Sequence, residues 1–274
     1  MAGRDVQGVI NYLGDWSGKP AFHAQDHAKD TFTLDPRQVA IEDARGWDEA
    51  PSLDREGFAL ARWPTAVKDF ENPAEVRASY GEEIEALIKD LTGASRVLAS
   101  GMGVVRWSER SDKAGLAAAN RPARFVHADY TDDSAAWWVR RMVPEEEAER
   151  LLAGRYAVLN IWRVLTAPPQ DAPLALCDAR SVARGDEVVA DAVADFDYMP
   201  EQPRFDASLY RFNRAHRWTY VSDMTPDEVL VFKGFDSDAS RGGRVPHCAF
   251  QDATCPSWAP ARMNVDTRAF AFFD

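Results

Sequence analysis

His127 and Asp129 stand two residues apart in "RFVHADY", and His247 lies far downstream in "VPHCAF". Two imidazoles and one carboxylate are the donor set that grips an iron(II) ion on one face and leaves three coordination positions open for a cosubstrate and dioxygen. The spacing suits that use. Residues i and i+2 of an extended strand project to the same side, so a strand through this segment sends His127 and Asp129 into one interior. The chemistry expected of such a centre is oxidation of an organic molecule by O2.

Elements must bring these residues together. The first 60 or so residues alternate short apolar stretches with turn signals, as in "VQGVINYLG", "FTLDPRQVAIEDAR" and "REGFALARWP", which predicts an N-terminal arm of short strands over 1–70. Over 73–92 the residues Val76, Tyr80, Ile84, Leu87, Ile88 and Leu91 recur at helical spacing, and Gly93 follows to stop the helix. A shorter helix is expected from Pro144, where "PEEEAERLLAG" places acids in the first turn and Gly154 after the last. After Gly154 the chain reads as strands divided by turns, from "RYAVLNIWRVL" to "RMNVDTRAFAFF". Many short strands with few helices between them predict a mainly β fold with flanking helices. The expected architecture is a jelly roll, or double-stranded β-helix, spanning 96–274 within a single domain of 1–274.

Composition bounds the class. With 274 residues, 46% of them hydrophobic, the chain can bury one sizeable core. No apolar run approaches the roughly 18 residues of a membrane span, and "MAGRDVQGVINYLGDW" lacks the basic start and apolar centre of a signal peptide. Cys177, Cys248 and Cys255 form neither a paired framework nor a CxxC pattern, which suits a reducing compartment, and the cytoplasm is expected. A formal charge of −12 argues against a general nucleic-acid surface, because phosphate neutralisation needs Lys and Arg. Arginines near the centre are therefore better read as anchors for a small anion. His23 and His27, although four apart, have no third ligand, and His216, Asp236, Ser237 and the Gly242–Gly243 pair read as framework and turn residues.

In order, "HADYT", "LNIWRVL", "PLALCD", "HRWTYVSDMTPDEVLVFKGFDS", "VPHCAFQD" and "ARMNVDTRAF" resemble the iron- and 2-oxoglutarate-dependent hydroxylase/desaturase-like proteins of natural-product pathways, related to cephamycin 7α-methoxylation components and fungal gibberellin desaturase. Weaker likeness in "VAIEDAR", "GFAL" and "TAVKDF" extends it forward to about position 39. The resemblance implies Fe(II) held by His127, Asp129 and His247, 2-oxoglutarate as cosubstrate, dioxygen, and a small natural-product or amino-acid-derived substrate. It implies hydroxylation, desaturation or oxidative cyclisation, since halogenases that resemble this architecture carry a small residue where Asp129 stands.

The resemblance also points to Arg262 as the anchor of the cosubstrate's far carboxylate, because a guanidinium offers two parallel charge-assisted hydrogen bonds and keeps its charge when buried. Relatives follow that arginine two residues later with serine. Here the residue is Asn264, which can still donate. Arg268 shares its strand parity with Arg262 and is the alternative anchor. In "LNIWRVL", Asn160 and Trp162 share one strand face and Arg163 takes the other, so all three cannot line one pocket without a bulge. These three, with Tyr130 and Arg106, are the further residues for substrate contact. Two alternatives remain open at this level: a barrel metalloenzyme that uses no 2-oxoglutarate, and a binding protein that keeps the fold without turnover. Substrate identity and oligomeric state are not legible.

Overall fold

A computed structural model describes residues 3–24, 26–99, 103–114, 121–195 and 201–274. Among these residues two β-sheets dominate. The larger, nine-stranded sheet runs in the order Val6–Trp16, Phe32–Asp43, Trp218–Tyr220, Leu174–Cys177, His247–Ala249, His127–Ala128, Arg204–Tyr210, Glu187–Val193, Ala21–His23. The smaller sheet runs Phe58–Arg62, Glu228–Asp236, Tyr156–Val164, Met263–Phe272, Arg96–Ala99, with Val104–Trp107 also pairing Met263–Phe272. Neighbours in these orders are rarely neighbours in sequence, the mark of the double-stranded β-helix expected from the strand pattern. The fold is mainly β with three flanking α-helices among the described residues.

The smaller sheet shows why sequence parity places the site. All nine residues of Tyr156–Val164 are buried, so both of its faces are covered. Its odd positions Leu159 and Ile161 join Val229, Val231, Val265 and Ala269 beneath α1 (Pro73–Thr92). Its even positions Trp162 and Val164 meet Leu174, Leu176, Leu230, Phe232 and Val245 between the sheets. The α1 helix forms as its pattern dictates. Asn72 caps the first amides, and Gly93 takes the left-handed conformation at φ 69° to end it. Each of its buried residues Val76, Tyr80, Ile84, Leu87 and Ile88 contributes about 1.5–3 kcal/mol of apolar burial.

Two sequence expectations are corrected here. The arm of short strands expected over 1–70 holds two short strands, Ala21–His23 and Phe58–Arg62, but its other two are long. Val6–Trp16 and Phe32–Asp43 are 11 and 12 residues long, pair antiparallel, and form one end of the larger sheet. A helix also precedes the expected one: α2 (Asp132–Met142), with Thr131 and Ser134 in a reciprocal capping box, stands ahead of α3 (Glu145–Leu152). Both pack against Tyr156, Val158, Phe235, Phe270 and Phe272. No helix among the described residues is long and apolar enough to cross a membrane.

Candidate metal centre

His127 and His247 face each other across an antiparallel pair, in direct register on the short strands His127–Ala128 and His247–Ala249. Their rings therefore project to the same side, with centroids 4.3 Å apart. Asp129 lies just past its strand, in a bend, so the single extended run expected through "RFVHADY" is shorter than its sequence suggests. The bend keeps the carboxylate inward all the same. One ligand atom from each of His127, Asp129 and His247 can be chosen so that all lie within 4.8 Å of one another.

The hydrogen bonds decide which atoms are available. His127 Nδ1 lies 3.0 Å from the carbonyl of Phe125, and His247 Nδ1 lies 3.0 Å from the carbonyl of Val245. A carbonyl only accepts, so each Nδ1 carries the proton and each Nε2 presents a lone pair. Burial pushes both imidazoles down, His247 to about 3, where the neighbouring His127 adds to the effect. Both are neutral at physiological pH, as a metal ligand requires. Burial alone would raise the Asp129 carboxyl, but Arg268, His247, His127 and the hydrogen bond from Asn160 more than offset it and hold it well below the usual range. Its Oδ2 accepts from Asn160 Nδ2 at 2.7 Å and from an Arg268 guanidinium nitrogen at 2.8 Å. Its Oδ1 lies 3.7 Å from His127 Nε2. Two Nε2 lone pairs and one carboxylate oxygen thus converge, with their second atoms already engaged, which fits Fe(II).

A pocket opens beside these atoms, lined by Trp162, Leu174, Phe232, Arg106, Asp266, Arg262 and Arg268 among others. Arg262 is 1% exposed. Its backbone amide donates to Asp171 Oδ1, one guanidinium N–H donates to the carbonyl of Ala172, and the guanidinium lies 5.6 Å from the Trp162 ring centre. Its Nε has no partner, and burial pushes the group down to about 10. This is a buried cation with donors to spare, the complement of a carboxylate.

The remaining expected residues divide between pocket and scaffold. Arg106 lines the pocket, with its Nε 2.7 Å from Asp266. Trp162 lines it directly, and Asn160 reaches it through Asp129. Asn264 is fully buried and donates to Asp266 at 3.3 Å. Tyr130 turns away into the cluster beneath α2 and α3, edge-on to Phe270, with its phenol beside Arg268. Arg163 is not in the pocket. The structure puts it on the opposite face of the sheet, donating to the carbonyls of Pro226 and Trp63, with the Tyr80 ring centre 6.0 Å away. Strand alternation is the reason, since no bulge intervenes between Trp162 and Arg163.

Three contributors escape a reading of the sequence alone. Phe232 packs edge-on against His247 with ring centres 4.6 Å apart. Asp171 holds the Arg262 amide and accepts from Ser108 at 2.7 Å. Gly234 leaves room for Tyr130, because a Cβ there would come within 2.8 Å of the Tyr130 ring. Only the first had a signal, its even parity with Leu230 along "EVLVFKGFD".

Comparison with known proteins agrees with this geometry. Residues 10–272 match the family described as oxidoreductase/YMDC permease-like domain. The hydroxylase/desaturase efuI of Hormonema carpetanum is 34% identical over 251 residues, covering 86% of this chain and 83% of that protein. The Fe(II)/2-oxoglutarate-dependent dioxygenase nvfI of Aspergillus novofumigatus is 30% identical over 246 residues, covering 88% and 85%. A solved structure of the iron and alpha-ketoglutarate-dependent endoperoxidase NvfI superimposes with a TM-score of 0.86 at 25% identity, over 98% of this chain and 97% of that one. Matches of this breadth, joined to the His127, Asp129 and His247 constellation, make the chain a member of the Fe(II)/2-oxoglutarate-dependent hydroxylase/desaturase family of fungal natural-product pathways.

Proposed function

We propose that this chain oxidises a small natural-product substrate by hydroxylation, desaturation or oxidative cyclisation, with His127, Asp129 and His247 holding Fe(II) and Arg262 holding the far carboxylate of 2-oxoglutarate. The observation that carries the reading is the pairing of both Nδ1 atoms with backbone carbonyls, which leaves two Nε2 lone pairs free beside Asp129, that of His127 3.7 Å from Asp129 Oδ1. Bound iron and 2-oxoglutarate supply the oxidising power, as O2 is consumed, 2-oxoglutarate becomes succinate and CO2, and a substrate C–H bond is broken.

The chain's own residues do the positioning. Arg262, fixed by Asp171 and Ala172 and backed by Trp162, orients an anion entering the pocket. Phe232 and Trp162 keep the walls apolar next to the ligand atoms, which excludes water from the reacting region. Arg106, linked to Asp266 on the same wall, is the proposed contact for a polar substrate group.

Anaerobic titration of the apoprotein with Fe(II) and then 2-oxoglutarate, followed by the visible charge-transfer band, tests this reading. The wild type is expected to develop the band and, once O2 is admitted, to form succinate, and Asp129→Ala to lose both. Bound iron with no band on adding 2-oxoglutarate would remove the cosubstrate from the mechanism and favour a barrel metalloenzyme of another kind.

A further inference from the structure

We propose that Arg268 and Asn160 form a clamp that confines Asp129 to metal binding through one oxygen, which makes Arg268 a positioning residue for the metal and not an anchor for 2-oxoglutarate. The proposal rests on the reading of His127, Asp129 and His247 as the iron ligands. Asp129 sits in a bend outside the strand ladder, so backbone pairing does not fix how its carboxylate turns. The two side chains do. Asn160 Nδ2 and an Arg268 guanidinium nitrogen approach the same oxygen, Oδ2, at 2.7 and 2.8 Å.

A carboxylate oxygen has two lone-pair directions, and two donors at these distances occupy both. Oδ1 alone then faces the histidines. Binding through both oxygens would have to displace one of the donors. The number matters because three protein donors leave three positions open, enough for a two-atom chelate and dioxygen, whereas a fourth would leave one too few.

The clamp is written into the sheet register. Asn160 on Tyr156–Val164 and Arg268 on Met263–Phe272 are direct partners across the antiparallel pair. Their side chains therefore leave the same face side by side, and a one-residue slip of either strand would turn its member of the pair to the other face. Arg262, one residue ahead of the same strand and of the same parity, has an unpartnered Nε and no such engagement with Asp129.

The test is anaerobic Co(II) binding to the apoprotein by calorimetry and d–d absorption, followed by 2-oxoglutarate, in wild type, Arg268→Gln, Arg268→Lys and Asn160→Ala. Loss of a partner that orients a metal ligand weakens metal binding about 10–100-fold, and that is the expected drop for Arg268→Gln. Its d–d spectrum should change before any cosubstrate is added, and Arg268→Lys should recover part of both effects. The affinity of the Co(II)-saturated variant for 2-oxoglutarate should change by less than its affinity for Co(II). Asn160→Ala leaves the ion pair with Arg268 in place and carries the same expected direction, so the inference stays testable even if Arg268→Gln folds poorly. Wild-type Co(II) affinity and spectrum in both Arg268→Gln and Asn160→Ala would overturn the clamp. So would an Arg268→Gln protein that keeps its metal and loses 2-oxoglutarate, which would make Arg268 the anchor instead. A wild-type chain that takes up no Co(II) would overturn the metal reading itself, and the clamp with it.

Discussion

A single guanidinium, that of Arg262, carries the cosubstrate reading, and its energetics separate binding from stability. Burying a cation without a carboxylate costs the fold, and the depressed value of about 10 is the sign of that cost. Replacing Arg262 by Met keeps the bulk and the backbone amide bond to Asp171 while removing the charge. The variant is expected to melt at or above the wild-type temperature when no cosubstrate is present. Its affinity for 2-oxoglutarate should fall by roughly 100-fold or more, the worth of two hydrogen bonds to a charged group. Thermal melting and a 2-oxoglutarate titration check the two halves, and undiminished affinity would transfer the anchor elsewhere. At this scale the candidate metal ligands were legible, because His127, Asp129 and His247 stand out by residue type and spacing. Arg262 came only through the family resemblance, and the engagement of Arg268 with Asp129 depends on which strands pair and in what register, which no local pattern records.

Among the elements, the strand Glu228–Asp236 shows how a backbone choice reaches the metal centre. Gly234 has no side chain because Tyr130 occupies the space, and a Cβ would meet the Tyr130 ring at 2.8 Å and Asn160 Oδ1 at 3.5 Å. Gly234→Ala is therefore expected to cost about 1–3 kcal/mol from overpacking. It should also disturb Asn160, and so weaken Fe(II) binding in a protein that remains folded. Urea unfolding and metal titration of the same variant check both, and an unchanged metal affinity would show that the strand absorbs the strain without moving Asn160. Legibility at this scale follows burial. The α1 helix was plain because its buried residues are large and evenly spaced. By contrast α2 buries only Ser134, Ala135 and Val139, small residues that leave no apolar stripe to read. The strand Phe32–Asp43 looked like short pieces because most of its residues are not buried, so its continuity lies in backbone pairing to Val6–Trp16.

Across the whole molecule, the formal charge of −12 and the buried ion pairs pull the acid stability curve in opposite directions. Mild acidification toward the sequence pI of about 4.9 relieves self-repulsion and should leave stability level or slightly raised. Further acidification removes paired carboxylates, and Asp236 is a principal one. It accepts two bonds from Arg155, at 3.2 and 2.9 Å, and one from Lys233 at 2.6 Å, while Lys233, only 2% exposed, also reaches Asp54 at 3.2 Å. This network joins the loop at Asp54 to both the Glu228–Asp236 strand and the residue that leads into Tyr156–Val164. Burial alone would raise the Asp236 carboxyl, but Arg155 and Lys233 more than offset it and hold it below its ordinary value of 3.8. The sign follows. A group whose folded value is depressed stabilises the fold at pH values above its unfolded value and loses that contribution as pH falls through the folded one. Asp236→Asn leaves Lys233 buried beside one carboxylate instead of two, and at neutral pH it should cost about 3 kcal/mol, a drop of roughly 6–12 °C in melting temperature. As the pH falls from the ordinary value through the lower folded one the wild type comes to protonate the same site, so the gap between the two proteins should close over that range. Melting curves of wild type and Asp236→Asn between neutral and strongly acidic pH decide it: a gap that stays constant until both chains unfold would mean that the network is held by packing and not by the Asp236 charge.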